Sequence, residues 1–196
     1  RLDTRLALQL HDRLTWHLGS ARVTEQDRLM GSTGSGALHT RGTHVTHFIY
    51  SRIEADFTPQ LSLFAEFEQG RGDRSHPHGL IHRLEGMTLR QAAVGLTLRR
   101  EDTQWVLMYH EPLRVHQARA HLRIPGGRTM DGRILFDDLT ADPTPDGRPR
   151  NLELGLRHPL GAHSTLQAHL VHIREPGHRT DAPSDTLGAI SYQRRY

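Results

Sequence analysis

Asn151-Leu-Glu-Leu-Gly-Leu-Arg-His158 is the stretch that fixes the secondary structure of this chain. Leu152, Leu154 and Leu156 recur at every second position, with Asn151, Glu153, Gly155 and Arg157 between them. Successive side chains of an extended strand point to opposite faces, so the spacing builds one leucine face and one polar face. A helix would scatter the same leucines around its circumference. The pattern repeats elsewhere. Leu61, Leu63, Ala65 and Phe67 oppose Ser62, Phe64, Glu66 and Glu68, and Ala92, Val94, Leu96 and Leu98 oppose Ala93, Gly95, Thr97 and Arg99. Leu6, Leu8 and Leu10 form a similar face, followed by Leu14, Trp16 and Leu18, and Ile49, Ile53, Ala55 and Phe57 line one side of a strand that begins near His47. From Leu166 to Ile173 the pattern is mixed: Leu166, Ala168 and Leu170 share a face while Val171 and Ile173 lie on the other.

Turn-forming residues punctuate these strands. Ala55 to Gln60 reads as a tight connection, and Pro159 to Ser164 as another. Asp142-Pro-Thr-Pro-Asp-Gly147 carries prolines that cannot donate to a ladder and an Asp-Gly pair suited to a turn. Longer polar gaps run from about Ala21 to His44 and from Gly70 to Glu85. Long gaps alternating with short turns match the unequal ends of an outer-membrane barrel. One region breaks that rhythm, because Glu111-Pro112 makes a very short break on the long side and Pro125 to Gly132 a long one on the short side. A single longer strand through Pro112, or a different division of the region, restores it.

Composition narrows the class. No stretch approaches the eighteen or more consecutive apolar residues a spanning helix needs, so a helical membrane protein is excluded. The chain opens on Arg1 with no charged-then-apolar leader, which suggests a mature or excised portion of a longer product. A hydrophobic fraction of 35% and a mean hydropathy of −0.61 are low for a closed soluble core in 196 residues. A membrane β-barrel needs only one apolar face per strand and escapes that difficulty. There is no cysteine, so disulfides and thiolate chemistry are ruled out. The net charge of +3 is nearly balanced, and no basic stripe with interleaved aromatics points to nucleic acid. Alternation alone fits a membrane barrel and a soluble β-sandwich equally.

No catalytic constellation is legible. There is no G-x-S-x-G elbow, and Ser32-Thr-Gly-Ser-Gly36 reads as a flexible run in a loop. Asp137 and Asp138 are adjacent on a strand and face opposite ways, so they do not share a substrate. Among the histidines, His76-Pro77-His78 with His82 is the one grouping with metal-binding potential, and a loop role outweighs it; His169 and His172 fall on opposite strand faces. Gly126-Gly127-Arg128 lacks the lysine and the strand-to-helix context of a phosphate loop. Neither a metal nor a cofactor is expected.

The second half adds a resemblance. Glu111 to Ile134, Asp142 to Gly161, Arg174 to Thr186 and Leu187 to Tyr196 follow one another with a Gly-Arg turn, an E-L-G-x-R strand, a Pro-Leu-Gly turn and an R-x-P-G-H loop. That succession resembles the C-terminal translocator barrel of autotransporters whose passenger is a subtilisin-like serine protease. Phe57 to Asp73 has the look of a strand-turn-strand unit common to outer-membrane proteins. The terminal strand resembles the signal read by the barrel assembly machinery, with Tyr196 as the final aromatic and Tyr192, Ile190 and Gly188 on its face; Arg194 departs from the usual apolar residue there.

The resemblance implies an all-β, antiparallel transmembrane β-barrel of about 10–12 strands. Residues 1–196 would form one such domain, without its first strand or linker helix. It implies a bacterial outer-membrane location, outer-membrane lipid, the assembly machinery and the chain's own passenger or linker segment as partners, and no enzyme activity in this portion. His178 would take a structural position in its loop. Glu66, Glu68, Arg99, Glu153 and Arg157 would line the lumen. Export or anchoring of a passenger is the expected function, with a small-solute pore and a soluble β-sheet binding module as alternatives.

Overall fold

A computed structural model of the chain describes residues 2–28, 42–75 and 79–194. Ten strands among these residues form one antiparallel sheet. They are β1 (Leu2–His11), β2 (Leu14–Gln26), β3 (Thr43–Asp56), β4 (Leu61–Gly72), β5 (Ile81–Arg100), β6 (Thr103–Arg128), β7 (Ile134–Ala141), β8 (Arg150–Gly161), β9 (Ser164–Arg174) and β10 (Asp185–Arg194). Each strand pairs with its predecessor except at one place. β7 and β8 share the far edge of β6, β7 against its residues 120–128 and β8 against its residues 104–110, so the two follow one another along a single neighbour.

The rhythm of short and long connections is real. Residues 12–13, 57–60, 101–102 and 162–163 turn the chain at one end of the sheet, and the segments 27–42, 73–80, 129–133, 142–149 and 175–184 lie at the other. We call these the turn end and the loop end. Two long gaps are shorter than the polar composition suggests, because β2 continues to Gln26 and β4 to Gly72. Polar residues there extend the ladder, with Gln26 opposite Thr43 and His47 opposite Arg71. Backbone hydrogen bonds need no apolar side chain. Around Pro112 the single longer strand is what forms: β6 runs through it, and the proline sits where the β5–β6 register shifts and β8 has already ended. A residue without an N–H is tolerated where the ladder is interrupted.

Burial is the reverse of a soluble sheet. On β8 Leu152 and Leu154 are 50% and 40% exposed, while the Glu153 side chain between them is 16% exposed. Cross-strand partners point the same way, so the pairings carry the apolar face from Leu8 and Trp16 through Ile53, Ala65, Val94 and Tyr109 to Leu152 and Ile190. Enclosure of the polar side chains and exposure of the apolar ones means that the sheet curves toward its polar side.

A small apolar core sits on the enclosed face at the loop end. Leu84, Met87, Leu89, Ala118 and Ala120 form it, flanked by Phe48, Ile81, Leu113 and Val115. A bulge between Glu85 and Thr88 creates it by changing which residues of β5 point inward, and Gly86 supplies the φ of +66° the bulge requires.

The sheet is open. β1 pairs with β2 alone and β10 with β9 alone, in place of the closed ring expected from the sequence. Both edge strands run from the loop end to the turn end, and two strands running the same way cannot join directly into an antiparallel ladder.

Candidate functional site: the enclosed polar face

The five lumen candidates fall into two charged groups and a turn-end pair. Glu66 and Glu68 project from β4 into a cleft of about 300 Å³ lined also by Asp3, Arg5, Tyr50 and Arg52. Arg52 on β3 is the centre of that group. Its Nη1 donates to Glu66 at 3.1 Å and its Nε to Glu54 at 2.6 Å, while the guanidinium lies 4.5 Å from the Phe64 ring centre. Phe64 is held flat by Gly95 opposite it, where a Cβ would come within 2.6 Å of the ring and 2.8 Å of the Leu107 carbonyl. Glu68 accepts a hydrogen bond from Gln91 Nε2 at 2.9 Å.

Glu153 organises the second group. One carboxylate oxygen lies 3.1 Å from His110 Nδ1 on β6 and the other 3.1 Å from His169 Nε2 on β9. Asn151 Nδ2 reaches His110 Nε2 at 3.2 Å. The strands reach Glu153 diagonally: His169 is directly opposite Gly155, whose missing side chain lets the imidazole lean toward the carboxylate two residues away. Arg99 and Arg157 stand apart from both groups. Arg99 is exposed near the turn end and donates from Nη1 to Ser62 Oγ at 3.1 Å, and Arg157 is exposed with no side-chain partner among the described residues.

His110, His169, Arg52 and Gln91 are functional-face residues that the sequence did not single out. Their signal is parity: each falls on the same face as the candidate carboxylate once the strands are put in register. Asp137 and Asp138 do diverge, Asp138 lying 3.8 Å from Arg123. His76, Pro77 and His78, the run Ser32 to Gly36 and the terminal Tyr196 lie outside the described residues. Among the described residues, no three His, Asp or Glu side chains are arranged to hold a metal ion. Ile190 and Tyr192 lie on the apolar face of β10, 79% and 57% exposed, and Arg194 is opposite Ser164 at the turn-end edge.

At the loop end, two connections clasp each other. Arg114 on β6 donates to the carbonyls of Gly147 and Pro145 at 3.0 and 3.2 Å. The Gly147 amide donates to the His178 carbonyl at 3.0 Å and the Arg148 amide to Glu175 at 2.7 Å. A Cβ on Gly147 would overlap the backbone of His178 and Arg179. His178 is therefore a structural residue of this clasp.

The arrangement supports a hydrated, ion-paired wall in place of a reaction centre: each charged group is held by partners of opposite sign on neighbouring strands. No family model, no curated protein and no solved structure matches this chain.

Proposed function

We propose that this chain is the wall of an outer-membrane β-barrel that anchors or helps export a passenger segment, as its resemblance to autotransporter translocators implies. The observation that carries the proposal is the sidedness of the sheet, with leucines, isoleucines and aromatics exposed on one face and ion-paired side chains enclosed on the other. In water, an exposed apolar face of that extent has no partner. In a bilayer it faces acyl chains, while the polar face lines an interior through which a chain that cannot cross hydrocarbon is able to pass. The short turns would lie on the periplasmic side and the long connections outside. Ile190 and Tyr192, with the terminal Tyr196, would present the strand read by the assembly machinery, and the chain itself would carry no enzyme activity.

Detergent extraction followed by electrophoresis with and without heating tests the membrane part. A barrel migrates differently before and after heating; recovery as a folded monomer in buffer without detergent sinks the reading. A reporter domain fused ahead of Arg1 tests export, since protease added outside intact cells must then reach it. A small-solute pore is the second reading, favoured by the presence of both charge signs along the enclosed face. Ion conductance of the chain in planar bilayers, with the reporter left inside the cell, supports the pore over the translocator.

A further inference from the structure

We propose that the loop-end border of the apolar face binds the phosphate groups of anionic lipid headgroups. The inference rests on the membrane reading above and adds the lipid class that the wall selects. The enclosed face couples its charges in pairs of opposite sign, but the exposed face ends in cations set against one another. Arg22, His47 and Arg71 are direct cross-strand neighbours on β2, β3 and β4. Arg150 and Arg174 are direct neighbours on β8 and β9. Arg90 stands at the corresponding border of β5, two residues beyond Ala92.

Like charges directly opposite each other in a sheet are destabilising. Acidic relief is sparse: His47 has Asp73 at 3.5 Å and Arg150 has Glu111 at 3.9 Å. Arg22, Arg71, Arg90 and Arg174 are exposed and have no side-chain partner among the described residues. The run lies at the level where the apolar side chains stop. Leu18 and Ile49 precede Arg22 and His47, Phe67 precedes Arg71, and Leu170 precedes Arg174 on the same face. That is the depth of headgroups when the apolar side chains meet acyl chains. Strands about 4.8 Å apart place neighbouring guanidinium groups close enough to share phosphate oxygens, and arginine forks bind such oxygens two at a time. An anionic headgroup layer thus turns a repulsive ladder into an attractive one. At the turn end the exposed charges are mixed, with Arg13 beside Asp12 and Arg100 beside Glu101, and no comparable ladder forms.

The chain's two tryptophans, Trp16 and Trp105, both lie on the apolar face and report the lipid beside it. The test reconstitutes the chain in phosphatidylcholine vesicles containing brominated phosphatidylcholine or, at the same mole fraction, brominated phosphatidylglycerol, and compares tryptophan quenching. Quenching by brominated phosphatidylcholine is expected in the parent chain, and its absence overturns the membrane reading and this inference together. Preference for phosphatidylglycerol is expected at about fivefold or more, the size of one basic side chain acting near an anionic surface, and to fall as salt is raised. In R22Q/R71Q/R90Q/R174Q the preference is expected to fall to about one, the lysine version to keep most of it, and R13Q/R100Q to keep all of it. Equal quenching by the two lipids in the parent, or a preference that salt does not weaken, overturns the headgroup inference and leaves the membrane reading standing. So does a preference that survives in the glutamine variant.

Discussion

Glu153 shows what a single side chain does on the enclosed face. It is 16% exposed and bridges two imidazoles on two different strands, so removing it leaves His110 and His169 without their shared acceptor. Glu153→Ala is expected to cost about 1–3 kcal/mol in urea unfolding from detergent micelles, the range for losing partly enclosed hydrogen bonds to a charged group. Arg157→Ala is the comparison: exposed and without a side-chain partner, it is expected to change stability by less than about 0.5 kcal/mol. His178 carries a pH dependence. Burial, and then the nearby Arg114, push its pKa below the ordinary histidine value of 6.5. The folded clasp keeps the ring neutral while the unfolded chain takes up a proton, so its contribution is complete above about pH 6.5 and lost as the pH falls below that value. Protease cleavage within 175–184 is therefore expected to speed up as the pH is lowered from 7 toward 5, roughly across the histidine range, and His178→Gln to flatten that rise.

At the level of strands, the sidedness of β8 makes opposite demands on adjacent positions. Leu154→Arg puts a cation in the middle of the exposed apolar face and is expected to cost about 2–4 kcal/mol in a bilayer, whereas Ser191→Arg, on the enclosed side of β10, is expected to be tolerated. Equal costs at the two positions would contradict the assignment of faces. Gly95→Ala tests the seating of Phe64, and through it the position of Arg52. The added methyl must displace both the ring and the Leu107 carbonyl, for an expected loss of about 1–3 kcal/mol in the same unfolding assay.

Strand faces were legible in the sequence because period-two alternation depends on nothing beyond one strand. Leu152, Leu154 and Leu156 were sorted from Glu153 and Arg157 without knowledge of any neighbour. Cross-strand partners were not legible, because the diagonal from Glu153 to His169 depends on a register set by the bulge at Pro159 and Gly161. The long β6 was obscured for a related reason: proline marks a break when the strand is read alone, and only the missing ladder bonds around Pro112 explain its presence.

On the scale of the whole molecule, the open edges carry the remaining constraint. β1 and β10 descend in the same direction, and nine successive strand positions separate the two free rims when β7 and β8 are counted together as one. A seam between the rims obeys arithmetic. Any cylinder built on this sheet with every neighbour antiparallel must insert an odd number of ascending and descending strands there, which brings the total to an even number. One inserted strand makes ten and three make twelve. Disulfide trapping with cysteines at Thr4 and Thr186 is accordingly expected to fail in the assembled protein, since at least one strand would hold those positions roughly 9 Å or more apart, beyond the reach of a disulfide. Efficient trapping would mean that the two rims meet directly and in parallel, and no uninterrupted antiparallel cylinder would then exist.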